Sequence, residues 1–396
     1  HVRSRRQRQM CIRDRVNGWE RPNYFGPVGA DENFDHQSRS FRRGSWWKYA
    51  LAEAKAIRSG VGIIDATAFT KHIVKGPGAS SFLDWFTCNK LPKVGRINLT
   101  YALTDAGTTR TEYTIVRLKQ DEFYLVSAGA WTDYDADFLI KSAQDKSPEF
   151  GYIELQDVTS QWGVFAVAGP KSRDFLSQLV RDEDQDTALS NARFPWLSFK
   201  RLELEMCPIN AIRVSYTGEL GWELHHPIEM QNYLFDLLQS AGAKYELKWV
   251  GARAQNWLRQ EKSYRAFGTE LGRDATPLEA DLPRFVDMSK DFNGKLQMEK
   301  IGIRSKCVTF LIDGPVDADP WGREALYTED GTERVGRLTS GGYSVVFEKS
   351  IGMGYVKPSY AIEGTKLKVK IQNALWDAVV TSDSPYDPKN EKLRIG

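Results

Sequence analysis

The spacing of apolar residues divides the chain into three regimes. Val61–Ile64 and His72–Val74 read as short strands, and Ala79–Cys88 reads as a helix, with Phe82, Leu83 and Phe86 recurring at three-to-four spacing. Tyr113–Arg117 and Glu122–Val126 alternate around the Lys119-Gln120-Asp121 turn, as in an antiparallel pair, and a helix is predicted over Trp131–Ser142. The same order of strand, helix and strand pair then recurs in Phe165–Val167, Lys171–Val180, Ile212–Tyr216 and Trp222–His225, followed by a helix over Met230–Gly242. After Lys300 the pattern changes to short strands separated by Gly, Asp and Pro turns: Val308–Ile312, Val335–Leu338, Ile351–Val356, Leu367–Ile371 and Ala378–Val380. That spacing predicts a barrel or sandwich. The fold class is therefore α+β: two related α+β halves over residues 46–302 and a C-terminal β-barrel over 303–396.

Residues 16–45 have little periodicity and many Gly, Asn, Pro and aromatic residues, which suits an extended arm lying on another surface. The first fifteen residues carry six arginines against one aspartate, a net +5 in a chain of +2, so the remainder is net −3. A nucleic-acid-binding body is excluded on that balance. The segment HVRSRRQRQMCIRDR has the character of a spurious translated peptide and is set aside from the fold. A basic arm or an Arg-rich, acid-poor mitochondrial-type presequence are the alternative readings.

Composition narrows the chemistry. Apolar runs are strand-length, with none long enough for a membrane helix. Cys11, Cys88, Cys207 and Cys307 stand far apart, which fits a reducing compartment, cytoplasmic or the mitochondrial matrix in a eukaryote. Five histidines without HxxxH spacing make a metal centre improbable.

AIRVSYTGELGWEL (Ala211–Leu224) resembles the folate-site strand pair of the glycine-cleavage aminomethyltransferase family. Around it VAGP (Val167–Pro170), LRQE (Leu258–Glu261), TPLEA (Thr276–Ala280), FNGK (Phe292–Lys295), TSGGYS (Thr339–Ser344) and GMGYV (Gly352–Val356) stand in the family's order. GWERPNYF (Gly18–Phe25) and Phe41-Arg42-Arg43 resemble the connector that joins an FAD domain to the folate domain in dimethylglycine and sarcosine dehydrogenases. LRQEKSYRAFG (Leu258–Gly268) is similar to the same subgroup. The resemblance implies a tetrahydrofolate-binding, one-carbon-transfer region whose FAD partner would lie before residue 16. No GxGxxG fingerprint follows a strand in this sequence.

The resemblance further implies site residues. Glu223 matches the carboxylate that holds the pterin, a task suited to two coplanar acceptors facing two parallel donors. Glu112, five residues past Gly107, matches the catalytic acid, which is usually aspartate in the family. Leu99 matches an apolar wall beside the pterin, Tyr216 belongs to the folate-site motif, and Tyr386 and Arg394 lie where the family closes the folate channel. Glu219 and Asp105 are adequately explained as turn residues. His225 and His226, adjacent on a strand, point to opposite faces and form no joint site. Gln255 stands where the aminomethyltransferases have an arginine, and Arg253, two positions away on a helix, points elsewhere. The implied activity is capture of an iminium, delivered from the FAD domain, as methylene-tetrahydrofolate. The alternatives are a freestanding aminomethyltransferase, a folate-dependent demethylase, or a non-catalytic folate-binding module. KDFNGKL lacks the cysteine of the folate-binding iron–sulfur assembly factors, which argues against that group, whereas a folate domain that has lost turnover and only tethers folate stays open because Glu112 replaces the commoner aspartate.

Overall fold

The computed structural model describes residues 10–16, 18–27, 40–181 and 185–395. Parts of the predicted tail and arm, at 1–9, 17 and 28–39, lie outside the described residues. Strands β1 (Met10–Val16) and β2 (Trp19–Phe25) pair antiparallel, so residues 10–15, set aside on composition, form a strand. Helix α1 (Trp47–Ser59) buries Ala50, Glu53, Ala54 and Ile57 along one face, and Gly60 ends it.

Strand β3 (Gly62–Asp65) precedes the first α+β unit, which comprises β4 (Thr70–Lys75), α2 (Ala79–Phe86), β5 (Ile97–Leu103), β6 (Thr109–Lys119), β7 (Glu122–Ser127), α3 (Thr132–Phe150) and β8 (Glu154–Asp157). Its sheet runs in the order β5-β6-β7-β4-β8. The second unit repeats the sequence with β9 (Trp162–Ala168), α4 (Ser172–Ser177), β10 (Phe199–Leu204), β11 (Cys207–Ile212), β12 (Gly221–Pro227), α5 (Gln231–Ala241) and β13 (Lys248–Trp249). Its order is β10-β11-β12-β9-β3-β13. The four-strand block β5-β6-β7-β4 thus recurs as β10-β11-β12-β9, which confirms the two related halves. Strand β3 occupies beside β9 the place that β8 occupies beside β4.

Alternation gives each sheet two faces. On the outer face of the first sheet, Val74, Tyr113, Ile115, Phe123 and Leu125 pack on Phe82, Leu83 and Phe86 of α2 and Leu139 of α3. On the outer face of the second, Phe165, Val167, Ala211, Trp222 and Leu224 pack on α4 and α5. The inner faces meet through Ile97, Val116, Tyr124, Val126 and Ile212. The order of layers is helices, sheet, sheet, helices.

Helix α6 (Ala252–Glu261) buries Trp257 and Leu258 against Ala50, Ala54 and Ile57 of α1, joined by Tyr24 of β2. Glu53 of α1 accepts hydrogen bonds from the backbone N–H groups of Phe25 and Gly251, tying β2 to both helices. Helix α7 (Lys295–Ile301) ends at Gly302. The last unit is a closed barrel of β14 (Lys306–Asp313), β15 (Ala325–Tyr327), β16 (Arg334–Ser344), β17 (Lys349–Val356), β18 (Lys366–Ile371) and β19 (Ala374–Val380), followed by α8 (Glu391–Arg394). Closure pairs β14 with both β17 and β19 and leaves no open edge. Strand β15 has three residues and no alternating run, which is why its pattern is silent in the sequence.

Several elements differ from their predicted spans: α3 runs eight residues past Ser142, α4 is shorter than Lys171–Val180, and one further difference moves a candidate site residue. The strand expected over Ile212–Tyr216 ends at Ile212. There Arg213 turns its backbone to Ser198 and Leu197, and Val214 N–H bonds back to the Ile212 carbonyl. Tyr216 consequently sits in the loop between β11 and β12 rather than on a sheet face.

Candidate functional site

Strand register assembles the site. Tyr101 of β5 lies opposite Glu112 of β6, and Leu99 lies opposite Thr114. Cross-strand partners share a face, so Leu99, Tyr101, Glu112 and Thr114 form a four-residue patch on the inner face of the first sheet. On the second sheet Glu223 pairs with Ile212 and Ala166, which puts Glu223 and His225 on the inner face, toward the first sheet. The contact between Tyr124 of β7 and His225 of β12 confirms that orientation, with the hydroxyl and Nδ1 3.0 Å apart. The structure thus places Glu112, Leu99 and Glu223 on facing walls of the same inter-sheet region, although they are far apart in sequence. His226 points the other way, with Nδ1 on the Leu224 carbonyl at 2.9 Å and Nε2 on Gln231 at 2.6 Å. The two histidines form no joint site.

Burial pushes the Glu112 carboxyl up to about 7, Glu270 adding to the rise while the Tyr101 hydroxyl and the Arg259 guanidinium pull against it. A group with that value can both accept and return a proton near neutrality. Tyr216 shares this environment. Its hydroxyl donates to the Arg265 carbonyl at 3.0 Å, its ring stacks on Tyr264 at 5.9 Å, and burial raises its pKa, with Glu112 and Glu270 contributing. Glu223 is 15% exposed, and the His225 Nε2 lies 3.2 Å from its Oε2. Among the described residues no group donates to its Oε1, so that oxygen is free for a ligand.

A buried ion pair supports Glu112 from below, and sequence reading did not single it out. Arg259 of α6 and Glu270 are 2.9 Å apart and almost inaccessible. Glu270 also accepts from the hydroxyls of Thr269, Thr339 and Ser340, and Arg259 donates to Ser340 and to the Tyr264 carbonyl. Although burial works to raise its pKa, Arg259 and these hydroxyls hold Glu270 below the usual carboxylate range. The signal lay in two motifs taken separately: Arg259 is the arginine of LRQE, and Thr339 and Ser340 open TSGGYS. In the same way Glu261 of LRQE accepts from Ser344, the last residue of TSGGYS.

The remaining expected residues are placed as follows. Glu219 is not a plain turn residue: it is buried, with Arg58 at 3.0 Å and the Tyr386 hydroxyl on the same oxygen. Arg58 also binds Glu261, and its guanidinium lies over the Tyr386 ring at 4.1 Å. Tyr386 is therefore pinned onto an Arg58–Glu219–Glu261 cluster. Arg394 on α8 is exposed, and its carbonyl accepts from Asn191 at 2.9 Å. Arg253 covers the Trp46 ring at 3.9 Å, away from the inter-sheet region. Asp105 is exposed in its turn and receives Asn293 at 3.3 Å. The turn that feeds β6 is sterically exact: Gly107 has φ +82°, and a Cβ there would meet the Met298 nitrogen at 2.2 Å. Among the described residues no cluster of His, Cys, Asp or Glu could hold a metal ion, and no helix is long and apolar enough to cross a membrane.

Comparison with known proteins bears on the family and the fold. Residues 4–290 match the GCVT N-terminal domain and residues 306–387 the glycine cleavage T-protein C-terminal barrel domain. The chain is 34% identical over 374 residues to the mitochondrial dimethylglycine dehydrogenase of Mus musculus, covering 92% of this chain but 41% of that protein. It is 29% identical over 375 residues to a probable aminomethyltransferase of Thermococcus kodakarensis, covering 87% of this chain and 91% of that protein. The glycine cleavage system aminomethyltransferase T of Bartonella henselae superposes with a TM-score of 0.78 at 22% identity, covering 96% of each chain, and shares the fold. The chain spans about two fifths of the length of the dimethylglycine dehydrogenases it matches. With two sheets, a closed barrel and both domain matches in register, the chain belongs to the glycine cleavage T-protein family of the aminomethyltransferase fold.

Proposed function

We propose that this chain binds tetrahydrofolate between its two sheets and serves as the one-carbon-transfer region of an oxidative N-demethylase of the dimethylglycine or sarcosine dehydrogenase type. The observation that carries the reading is the pair of carboxyls on facing sheets: Glu112, pushed up to about 7, and Glu223, partly open and steadied by His225. Aminomethyltransferases of this family bind tetrahydrofolate, and the residues present fit a pterin. The Glu223 carboxylate has an unoccupied Oε1 beside the engaged Oε2, so it can accept two parallel N–H donors with charge assistance. Leu99 and Thr114 form a half-apolar wall next to Glu112.

When bound, tetrahydrofolate would supply the amine nitrogen that bonds the iminium carbon; the original carbon–nitrogen bond would then break, the demethylated amine would leave, and the product would be methylene-tetrahydrofolate. Glu112 would take the proton that the attacking amine releases and pass it to the departing amine, for which a pKa near the working pH is the efficient choice. Glu223 holds the pterin in one orientation, so the encounter is effectively unimolecular. The Arg259–Glu270 pair lends Glu112 a nearby cation without consuming its carboxyl. Tyr216, whose pKa Glu112 helps to raise, is assigned to the same site, and Tyr386 and Arg394 would close the folate channel. An FAD-bearing region would generate the iminium. A freestanding aminomethyltransferase is the second reading, favoured by the near-complete overlap with the Thermococcus protein.

Calorimetric titration with tetrahydrofolate, beside Glu223→Ala, tests the proposal. Binding by the parent and a loss of about 2 kcal/mol or more in the variant are expected, the scale for removing a charge-assisted partner. Equal binding by parent and variant removes Glu223 from the site. No binding by a folded parent rejects the folate assignment for this chain.

A further inference from the structure

Besides Glu112, the inner faces of the sheets carry a second polar feature: a buried hydrogen-bonded chain that crosses from one sheet to the other. Tyr124 of β7 is 4% exposed, His225 of β12 is fully buried, and Glu223 is 15% exposed at the open end. The Tyr124 hydroxyl is 3.0 Å from His225 Nδ1, and His225 Nε2 is 3.2 Å from Glu223 Oε2. The two rings meet edge to face at 5.5 Å, which fixes the plane of the imidazole.

We infer that Tyr124 and His225 are positioning residues that lock the imidazole in the Nε2–H tautomer and thereby aim the Glu223 carboxylate at the pterin. This deepens the proposed function and rests on its assignment of Glu223. The tautomer follows from donor counting. An ionised carboxylate only accepts, so Nε2 must carry the hydrogen that faces Glu223. A neutral imidazole then has a bare Nδ1, and among the described residues the group facing it is the Tyr124 hydroxyl, which must donate. Burial keeps His225 neutral by lowering its pKa, against the pull of Glu223 and with the Lys71 cation on β4 opposing protonation. Lys71 is itself held by the carbonyls of Thr67 and Trp162, and Asp65 on β3 is its acidic neighbour. Burial also raises the Tyr124 pKa, with Glu223 adding to the effect, so the phenol retains the proton it donates.

The arrangement has a chemical consequence. His225 occupies one lone pair on Oε2, leaving Oε1 and the second lone pair of Oε2 for the two donors of a pterin edge. Without the imidazole, Glu223 is free to rotate about its last torsion, which is broad for a terminal carboxylate. The lock sits on a β-strand rather than a loop and is braced by the opposite sheet, as a preorganised binding group requires.

The test uses the full chain, labelled with 15N-histidine, together with Tyr124→Phe, His225→Leu and His225→Gln. Long-range 1H–15N correlation spectra of the unliganded protein report the tautomer directly, and tetrahydrofolate titration reports the function. The parent is expected to show a neutral Nε2–H imidazole for His225. Tyr124→Phe should weaken tetrahydrofolate binding by about 3- to 10-fold, the equivalent of one ordinary hydrogen bond. His225→Leu should weaken it by about 10- to 100-fold, because the partner of a charged group is lost, and His225→Gln, whose amide N–H can reach the same oxygen, should recover most of that loss. Recovery by glutamine separates positioning from mere packing, which leucine serves equally well. An imidazolium or an Nδ1–H tautomer in the parent overturns the inference, as does parent-like binding by His225→Leu. If Glu223→Ala binds as well as the parent, the assignment of Glu223 to the pterin, on which the inference rests, has failed; if the folded parent does not bind, the folate assignment itself has failed. A failure confined to His225→Leu, with Glu223→Ala still deficient, condemns the dyad alone.

Discussion

Replacement of Glu112 by glutamine provides a test of the acid–base reading that needs no substrate. The carboxyl has an ordinary value of 4.5 and is pushed up to about 7 by burial. Because its pKa is raised in the folded state, the protonated group is tolerated and the ionised one is not. The stability involved is fully present below the unfolded value and is lost as pH rises through 7. Linkage between the two values gives a penalty of about 0.8 kcal/mol at pH 5 and about 3.3 kcal/mol at pH 8. Glutamine is an isosteric, permanently neutral stand-in for the protonated acid and escapes the penalty. Glu112→Gln should therefore gain stability relative to the parent by about 2 to 3 kcal/mol between pH 5 and pH 8. Urea unfolding of both proteins at each pH measures it. The difference between parent and variant cancels other buried carboxyls, such as Glu53 and Asp135, which also titrate in this range. A difference that stays constant with pH would show that Glu112 is an ordinary hydrated carboxylate, and the argument for its proton-transfer role would fall with it.

Two further perturbations probe the framework around the site. Arg259→Met leaves Glu270 buried without its cation and should lower stability by about 3 to 5 kcal/mol, whereas Ser340→Ala removes one hydroxyl from the same network and should lower it by about 1 kcal/mol; thermal unfolding of the two variants should preserve that order, and equal small losses would mean the pair is solvated. Gly107→Ala places a Cβ against the Met298 backbone at a positive φ, so about 1 to 3 kcal/mol or more should be lost in denaturant unfolding, and a neutral result would show that the turn is free to shift.

Much of the architecture is legible in local pattern. The helix over Ala79–Phe86, the β6–β7 hairpin and the change to barrel strands after Lys300 all follow from periodicity and turn residues. So does the divergence of His225 and His226, because alternation on a strand is set by the backbone itself. Several strands escape the pattern, among them β8 and β13, which are short, β10, where Phe199-Lys200-Arg201-Leu202 carries no clean alternation, and β15, where three residues hold too little pattern. Glu219 was misread because a glutamate between two glycines looks like a turn residue. Its burial depends on Arg58, a residue 161 positions earlier in the chain.

The site divides along the same line. By itself the sequence determined which residue types were available and on which face of its own strand each would stand: Leu99 and Tyr101 together on β5, Glu112 and Thr114 together on β6, Glu223 and His225 together on β12. A period-two side-chain pattern needs only local backbone geometry, and motif order supplied the family. Only the tertiary structure decided that those faces look at one another. Sheet-on-sheet packing sets the Tyr124–His225 contact, pushes Glu112 up to about 7 and brings Arg259 of one motif onto Ser340 of another. A pKa shift and a buried ion pair are properties of desolvation, and desolvation is created by whatever part of the chain folds over a residue, however distant in sequence.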